Sequence, residues 1–458
     1  MHRAQALART IPADVLGIVT RLRERGKRAW IVGGSVRDML RGVPVADYDV
    51  CTDARPEEVM RAFSRVIPTG IEHGTVSVLV RGRPYEVTTL RGEGSYTDGR
   101  RPDAVRFLDD IREDLARRDF TVNAIALDPV DGVLVDPFGG EADLERRVIR
   151  AVGDPLARFS EDGLRVLRAA RFAATLEAGI DEPTRRAIPA CLSTYAKVSP
   201  ERVRDEWMKT MKARQPSRAF DVMRETGILS VTCPELEEGV GMAQNRFHAF
   251  DVWRHTMACL DACPREPVLR VAGLLHDVGK PRTRALSDKT GDFTFYGHER
   301  VGAEIAHDIL TRLRFSNDER ARITSLVRHH LVCYDPSWTD AAVRRWIRRV
   351  GEAHMEPLYD LARADALAKG LPADEELRRI AELDGRVRQV LAAGDALSVR
   401  ALRVNGHDLM TELGLSRGRV IGETLERLLE LVLDDPSQNE RGALLDAARR
   451  LIEPPRGG

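Results

Sequence analysis

Two aspartates one residue apart, Asp47 and Asp49 in "DYDVCT", follow a glycine pair, Gly33 and Gly34, and an arginine, Arg37, within about twenty residues. On a strand, residues i and i+2 project from one face, so the two carboxylates converge. Glycines after the strand-like "AWIV" let backbone N–H groups approach phosphate oxygens, and the next helix N-terminus adds partial positive charge. Arg37 can bring a guanidinium to the same oxygens. Converging carboxylates beside a phosphate cradle suit Mg2+, which takes few carboxylates plus phosphate oxygens. Two such ions can activate an attacking hydroxyl and steady a leaving pyrophosphate. Glu86 in "PYEVTTL" is either a third carboxylate from a neighbouring strand or an exposed strand residue.

A second constellation lies further on: His255, the pair His276-Asp277, His298, His329, His330 and Asp365. Imidazoles and carboxylates from several helices are the usual make-up of a bundle-borne metal site. A helical pair at i and i+1 shares one ion only if the backbone turns to allow it.

The elements that must hold these residues change along the chain. The first 150 residues mix strand and helix signals: "AWIVGG" is a strand into a turn, "SVRDMLRG" a helix ending at Gly42, and "DYDVCT" a strand. "TVSVLVRGRPYEVTTL" is two β-rich runs split by a hairpin signal at Arg81–Pro84. "RGEGSYTDGRRPDAV" (91–105) has the glycine and charge density of a mobile loop. After 150, long amphipathic segments such as "EDGLRVLRAARFAATL" take over, and "EPPRGG" ends the chain as a disordered tail. The expected class is α+β: a small head with a mixed sheet (1–150), an all-α neck (151–240), a helical metal-binding body (241–370) and a helical tail (371–458).

With 71 basic and 71 acidic residues the net charge is zero, so bulk electrostatics neither propose nor exclude a nucleic-acid partner. Basic surface must be local, as in 201–218 or "RRWIRR" (344–349), both candidates for RNA phosphate contacts. Six cysteines form no CxxC pair, and Cys259 and Cys263, four apart on a helix, are poorly placed for a disulfide. No leader or membrane-spanning run is legible, so a cytoplasmic protein with no membrane partner is expected.

The motifs resemble those of the class II tRNA nucleotidyltransferase and bacterial poly(A) polymerase family, within the DNA polymerase β superfamily. Its first motif is matched by Gly33, Gly34, Val36, Arg37, Asp38, Asp47, Asp49 and Thr52. Its second is matched by "RRDFTVNAIALD" (117–128), its third by "DPFGGEADL" (136–144), its fourth by "EDGLRVLRAARF" (161–172), and a fifth by "SPERVRDEW" (199–207). Together these cover about the first 215 residues. One departure is Arg41, where the family often has leucine. The resemblance implies a polymerase-β-like head, Mg2+ at Asp47 and Asp49, and tRNA 3′ ends, CTP and ATP as partners.

In that setting Arg117 and Arg118 can reach triphosphate oxygens, and Asp119 a ribose 2′-hydroxyl. Asp162, Arg165, Arg168 and Arg171 recur every three residues along a helical stripe. Asp162 offers an acceptor and Arg165 donors. Cytosine and adenine both present an amino donor beside a ring acceptor, whereas guanine and uracil reverse the pattern. An Asp162–Arg165 pair therefore fits C and A and leaves groups unpaired against G or U. Arg168 and Arg171 then face phosphates or brace the pair.

The ordered set His255, His276-Asp277 and Asp365 resembles the HD phosphohydrolase superfamily, with His298 and either His329 or His330 extending it to a second metal. That implies a transition-metal site for phosphoester hydrolysis, or an inherited metal-free scaffold. The stretch after 400 resembles the C-terminal segment of HD-bearing tRNA nucleotidyltransferases, a tail to hold the tRNA elbow. The activity so implied is CCA addition to tRNA. Alternatives are addition of the terminal A alone, poly(A) synthesis, or an HD phosphohydrolase with a nucleotide-sensing head. A full-length loop at 91–105 speaks against a CC-only enzyme. The oligomeric state is not fixed by the sequence.

Overall fold

The run AWIV is apolar at every position because, as strand β1 (Ala29–Val32), it lies inside a sheet covered on both faces. The structure, a computed structural model, describes residues 2–92 and 106–452, which fall into two units, Met1–Glu237 and Glu238–Gly458. The expected loop from position 93 to 105, and with it the sign against a CC-only enzyme, lies outside the described residues, as does the tail from 453.

In the first unit β1 is joined by β2 (Asp49–Thr52), β3 (Val66–Gly70), β4 (Thr75–Val80), β5 (Arg83–Thr89), β6 (Ala126–Asp128) and β7 (Val133–Val135). The spatial order is β3-β4-β5-β2-β1-β6-β7. β2 and β5 pair in parallel, and the other pairings are antiparallel. Arg81 and Gly82 turn with positive φ to close the expected β4–β5 hairpin. Strand alternation then divides the side chains between two cores. Ala29, Ile31, Val50, Val76, Val78 and Val87 pack with Val15, Ile18 and Val59 of two covering helices. Trp30, Val32 and Cys51 pack with Leu90, Leu108 and Leu115 on the other face. Asp49 lies two residues from Cys51, and Glu86 two from its partner Thr88, so both carboxylates share this second face.

The fourth motif is not one helix. Helix Pro155–Glu161 ends before Asp162, which is extended at φ −142° and ψ 104°, and helix Leu164–Thr175 begins after Gly163. The Asp162 carboxylate accepts the Leu164 N–H at 3.1 Å, a local bond that competes with helix. The expected stripe therefore holds for the three arginines only. Helix Leu164–Thr175 packs on helices Pro200–Thr210 and Ser217–Glu225, where Trp207 and Phe220 meet edge to face with centroids 5.2 Å apart.

The second unit is helical. Helices Val252–Ala262, Pro267–Leu275 and Asn317–His329 start on the side-chain caps Asp251, Glu266 and Ser316. Helices His298–Arg312 and Met355–Ala368 complete the set around the histidines. Helices Gly406–Leu413, Arg419–Asp434 and Arg441–Ile452 build a separate core on Leu409, Leu428, Leu429 and Leu444. "RRWIRR" serves this packing rather than RNA. Arg344 is buried and donates to the carbonyls of Leu433 (2.7 Å) and Asp434 (3.1 Å), free acceptors at a helix C-terminus. Arg345 binds Glu430 and Asp434, and Arg348 binds Glu426 and Glu430. Three of its four arginines are thus spent inside the unit, which overturns the phosphate-patch expectation for 344–349.

Candidate transfer site and metal centre

The chain leaves β1 through Gly33 at φ 68°, a left-handed turn that glycine permits. A Cβ there would stand 2.7 Å from Arg118 Nη1, so the close approach of that guanidinium also requires glycine. Helix Gly34–Leu40 starts at once. It carries Arg37, whose Nε and Nη2 donate to the Asp38 carboxylate (2.9 and 3.0 Å) and whose Nη1 donates to Asn123 Oδ1 (2.7 Å). Arg117 and Arg118 are both held by Asp114, at 2.6 and 3.2 Å. Asp114 is fully buried; burial works against its charge, but the two guanidiniums prevail and keep its pKa below the usual range. Asp114 went unflagged in the sequence, although its i+3 and i+4 spacing to two arginines on a helix was a usable signal.

Gly33, Gly34, Arg37, Asp49, Arg118, Asp119, Asp162, Arg165, Arg168 and Arg171, all singled out by sequence, line one cleft of about 630 Å³, together with Glu86 and Arg117. Asp47 does not. β2 begins at Asp49, so Asp47 sits in the lead-in rather than on the strand, which corrects the expectation that both project from one strand. Asp47 lines a second cleft of about 560 Å³ that shares Asp49 and Glu86 with the first. Desolvation raises the Asp49 pKa, Glu86 and Asp47 raise it further, and Arg118 opposes them. A carboxylate group short of positive charge, beside a phosphate-sized cradle, fits a hard dication.

Asp119 is 8% exposed. Its Oδ1 accepts the Phe120 N–H (2.8 Å) and Asn123 Nδ2 (3.0 Å), and its Oδ2 accepts Arg168 Nε (2.8 Å). Burial pushes its pKa up, but Arg168 and Asn123 hold it down at about 2. Its carboxylate therefore braces Arg168 at the cleft wall. Arg171 donates to Glu206, 1% exposed, at 2.5 Å, and Lys209 donates to the other oxygen at 3.0 Å. The Arg171 guanidinium lies 3.9 Å from the Phe172 ring centroid, with Arg168 and Arg37 at 5.3 and 5.4 Å. Three cations thus gather around one aromatic ring. Arg165 is fixed by Glu161 (2.6 Å) and by the carbonyls of Arg158 and Arg117, while Asp162 receives Arg202 at 2.7 Å. The two edge-reading candidates line the same cleft, each held by its own partners. Asn123, Glu161, Arg202 and Glu206 were not singled out as site residues. All four lie inside the motif stretches, so their proximity to the flagged residues was the available signal.

In the second unit helix Pro267–Leu275 ends just before His276, so His276 and Asp277 lie on the turn that follows, which lets both face one point. A Cβ on Gly279 would come within 2.3 Å of the His298 carbonyl, so glycine is what lets helix His298–Arg312 close on this turn. His255 Nε2 and His276 Nε2 stand 3.2 Å apart, with Asp277 Oδ2 at 3.2 and 3.1 Å and Asp365 Oδ1 at 3.0 and 3.7 Å. His298 Nε2 and His330 Nε2 stand 3.2 Å apart on the other side, at 3.4 and 3.8 Å from Asp277 Oδ1. Nδ1 of His298 and of His330 each sits 2.7 Å from a backbone carbonyl and donates to it. With both rings neutral their Nε2 lone pairs face each other; a proton on His298, whose pKa Asp277 raises against burial, or a cation between the rings resolves the contact. Burial and the neighbouring His276 hold the His330 pKa down at about 3, so its ring stays neutral. His329 is not part of the group; its Nδ1 turns to the Ser325 carbonyl at 2.9 Å. Lys280 Nζ reaches Asp277 Oδ2 at 2.6 Å.

Three family models match the chain: the poly A polymerase head domain over 29–150, the probable RNA- and SrmB-binding site of polymerase A over 179–239, and the HD domain over 248–384. An A-adding tRNA nucleotidyltransferase of Deinococcus radiodurans is 38% identical over 88% of this chain and 91% of its own length. A CCA-adding enzyme of Ligilactobacillus salivarius is 30% identical over 96% of both. The chain belongs to the tRNA nucleotidyltransferase family. The crystal structure of the Bacillus stearothermophilus CCA-adding enzyme in complex with CTP superposes with a TM-score of 0.72 at 28% identity, covering 96% of this chain and 97% of that one. The α+β class with a polymerase-type head and a helical remainder is what this family membership and the sheet topology both give. Divalent metal use follows from the head and HD domains together. Among the described residues, no helix is long and apolar enough to cross a membrane.

Proposed function

We propose that this tRNA nucleotidyltransferase builds or repairs the 3′-terminal CCA of tRNA from CTP and ATP. The observation that carries the reading is the single cleft in which the glycine turn, seven arginines (Arg165 among them), Asp49, Glu86 and Asp162 converge. Arg37 and Arg118, with the Gly33–Gly34 turn, hold the triphosphate. Arg168 and Arg171, aligned by Asp119 and Glu206, complete the positive wall. Asp162 and Arg165 meet the base edge common to C and A. Asp47 and Asp49 are the residues that would hold Mg2+, which supplies charge neutralisation for the acceptor 3′-oxygen and the leaving pyrophosphate.

The second unit is a separate phosphohydrolase centre in this reading. His255, His276, Asp277 and Asp365 would hold one transition metal, and Asp277, His298 and His330 a second. Such ions supply a water acidified for phosphoester hydrolysis. The setting is cytoplasmic, where nucleotides and tRNA are found.

The test is incubation of the purified protein with tRNA ending at the discriminator base, at C and at CC, with each labelled nucleotide. Completion of CCA on all three supports the reading. Extension of the CC-ended substrate alone would make this an A-adding enzyme, the activity named for the Deinococcus relative. Long adenylate tracts would indicate a poly(A) polymerase. No extension at all would leave the HD centre as the working site.

A further inference from the structure

One buried carboxylate stands behind two arginines of the larger cleft. Asp114 is fully buried on helix Ile111–Ala116, whose Ile111 and Leu115 belong to the apolar core on that face of the sheet. Its Oδ1 accepts Nε and Nη2 of Arg117 (2.9 and 2.6 Å) and the Arg91 N–H (3.4 Å), and its Oδ2 accepts Nη2 of Arg118 at 3.2 Å. The Arg117 backbone carbonyl in turn accepts Nη2 of Arg165 at 3.0 Å. Arg117, Arg118 and Arg165 all line the cleft, and Asp114 does not. We propose that Asp114 is a positioning residue of the transfer site: it aims Arg117 and Arg118 at the triphosphate and, through the Arg117 carbonyl, holds Arg165 at the base edge. This rests on the nucleotidyl-transfer reading.

Packing alone does not call for a carboxylate at this position. A buried charge costs desolvation, and an apolar residue of similar size would join Ile111 and Leu115 without that cost. What the carboxylate adds is direction. Residues i+3 and i+4 flank residue i on one helix face, so Asp114 reaches both arginines at once. One negative charge between two positive ones leaves the group net positive beside the glycine turn, where a Cβ on Gly33 would meet Arg118 Nη1 at 2.7 Å. Arg118 Nε is buried with no partner among the described residues, so Nη2 carries the anchoring, to Asp114 and to Cys51 Sγ at 3.6 Å. Two long side chains are thus ordered before a ligand arrives, and binding does not bear that cost.

Arg165 is fixed at three points: the Glu161 carboxylate, the Arg158 carbonyl and the Arg117 carbonyl. The first two lie within seven residues of it. Only the Arg117 carbonyl comes from a distant part of the chain, so it ties the base-reading side chain to the segment that carries the triphosphate arginines. Arg117 is also the C-cap of helix Ile111–Ala116. Its side chain, clamped back onto Asp114, pins the turn from which its carbonyl points. Loss of the carboxylate therefore loosens the phosphate side and the base side together, whereas loss of Arg118 alone touches only the phosphate side.

The test compares full-length wild type, Asp114→Asn and Arg118→Ala on tRNA ending in CC, with ATP and with GTP. Asp114→Asn keeps the side-chain shape and removes the charge. It should raise KM for ATP about tenfold and lower the preference for ATP over GTP, taken as the ratio of kcat/KM, to a similar degree. Arg118→Ala should raise KM for ATP and keep the preference, since the Arg117 carbonyl stays in place. A purely structural Asp114 would lower the active fraction, and so kcat, with KM and preference at wild-type values; that result in a folded Asp114→Asn overturns the proposal. A raised KM with unchanged preference overturns the link to Arg165. Where Asp114→Asn does not fold, adding Arg117→Leu removes the stranded cation. Against Arg117→Leu alone, that double variant should still raise KM for ATP, because Arg118 loses its hold; no difference, or failure of the double variant to fold, makes the carboxylate structural and overturns the assignment. A wild-type protein that adds no A to this tRNA overturns the transfer reading itself.

Discussion

Asp119→Asn separates a charge from a shape. The asparagine keeps an oxygen for the Phe120 N–H and for Asn123, but it turns a neutral amide toward Arg168 where the carboxylate accepts at 2.8 Å. The wild-type carboxyl titrates at about 2 instead of 3.8. At about 1.36 kcal/mol per pKa unit, that depression corresponds to about 2.4 kcal/mol of stability from the ionised form. Because the folded pKa lies below the unfolded one, the contribution is complete well above pH 4 and is lost as pH falls through 2. At pH 3 about half should remain, ~1.3 kcal/mol. The amide facing Arg168 adds a further cost that does not depend on pH, so the pH-dependent part is the diagnostic one.

The chain has two units, and a single global transition would blur them. Amide hydrogen exchange in peptides from 106–175 reports the neighbourhood of Asp119 directly. Wild type and Asp119→Asn should differ in local opening free energy by about 2.4 kcal/mol or more at pH 7, and the gap should shrink by about 1 kcal/mol at pH 3. A gap that stays constant from pH 7 to pH 3 would refute the ion-pair account of Asp119. The same variant should bind CTP and ATP more weakly, since Arg168 loses its brace.

Asp49→Asn should abolish nucleotide addition without lowering the unfolding temperature, because its ionised form is already disfavoured by burial, Glu86 and Asp47; addition near the wild-type rate would sink the metal assignment. Glu206→Ala strands the buried Arg171 and should cost about 3–5 kcal/mol, read as a fall in unfolding temperature of the first unit, and a loss below about 1 kcal/mol would contradict the buried-pair picture. Arg165→Ala and Asp162→Ala should relax rejection of GTP and UTP more than they weaken triphosphate binding, and unchanged selectivity in both would place base choice elsewhere. Elemental analysis of wild type should find two transition-metal ions per chain, with one remaining in His298→Ala and none in the His276→Ala, Asp277→Ala double variant; the double variant should still add CCA, and loss of addition in a folded protein would mean the two sites are coupled.

The strongly local parts of this architecture were readable in the chain. β1 is a four-residue apolar run because both its faces are buried, and the β4–β5 hairpin announces itself through Arg81–Pro84. Gly33 and Gly34 at the junction of β1 and its helix, Arg37 in the last turn of that helix, Asp49 at the start of β2 and Arg118 just past helix Ile111–Ala116 converge on one cleft because each lies at or near the end of a short element, where short-range rules apply. What the sequence misplaced depended on long-range partners. A three-residue period made Asp162 look helical, yet its own carboxylate binds the Leu164 N–H and opens the chain there. "RRWIRR" looked like a nucleic-acid surface because its acids lie eighty or so residues later, on helix Arg419–Asp434. The choice between His329 and His330 turned on which of two adjacent rings faces inward, and only the packing of helix Asn317–His329 decides that.

The two centres differ in how their charge is left unresolved, and that difference bears on which ion each takes. Around Asp49 the deficit is positive charge among oxygens: desolvation first, then Glu86 and Asp47, push its pKa up, and Arg118 opposes them. Phosphate oxygens entering that cleft would deepen the deficit, so a hard ion carrying water and phosphate ligands is the natural complement. Around Asp277 the deficit sits on nitrogen: Nε2 atoms face each other at 3.2 Å on both sides of one carboxylate, with backbone carbonyls fixing the outer nitrogens of three of the four rings. A shared proton can bridge such a pair, and the raised pKa of His255 and of His298 favours one; an ion that accepts nitrogen ligands takes the same place, and an imidazole-rich donor set suits a transition metal better than Mg2+. On the proposed reading, the transfer site would complete its ion's ligand set with nucleotide oxygens, whereas the imidazole donors already stand together without substrate. A chelator wash followed by added Mg2+ should on this reasoning restore nucleotide addition while leaving the histidine centre empty. Recovery of phosphohydrolase activity with Mg2+ alone would show that the donor set does not govern the choice of ion.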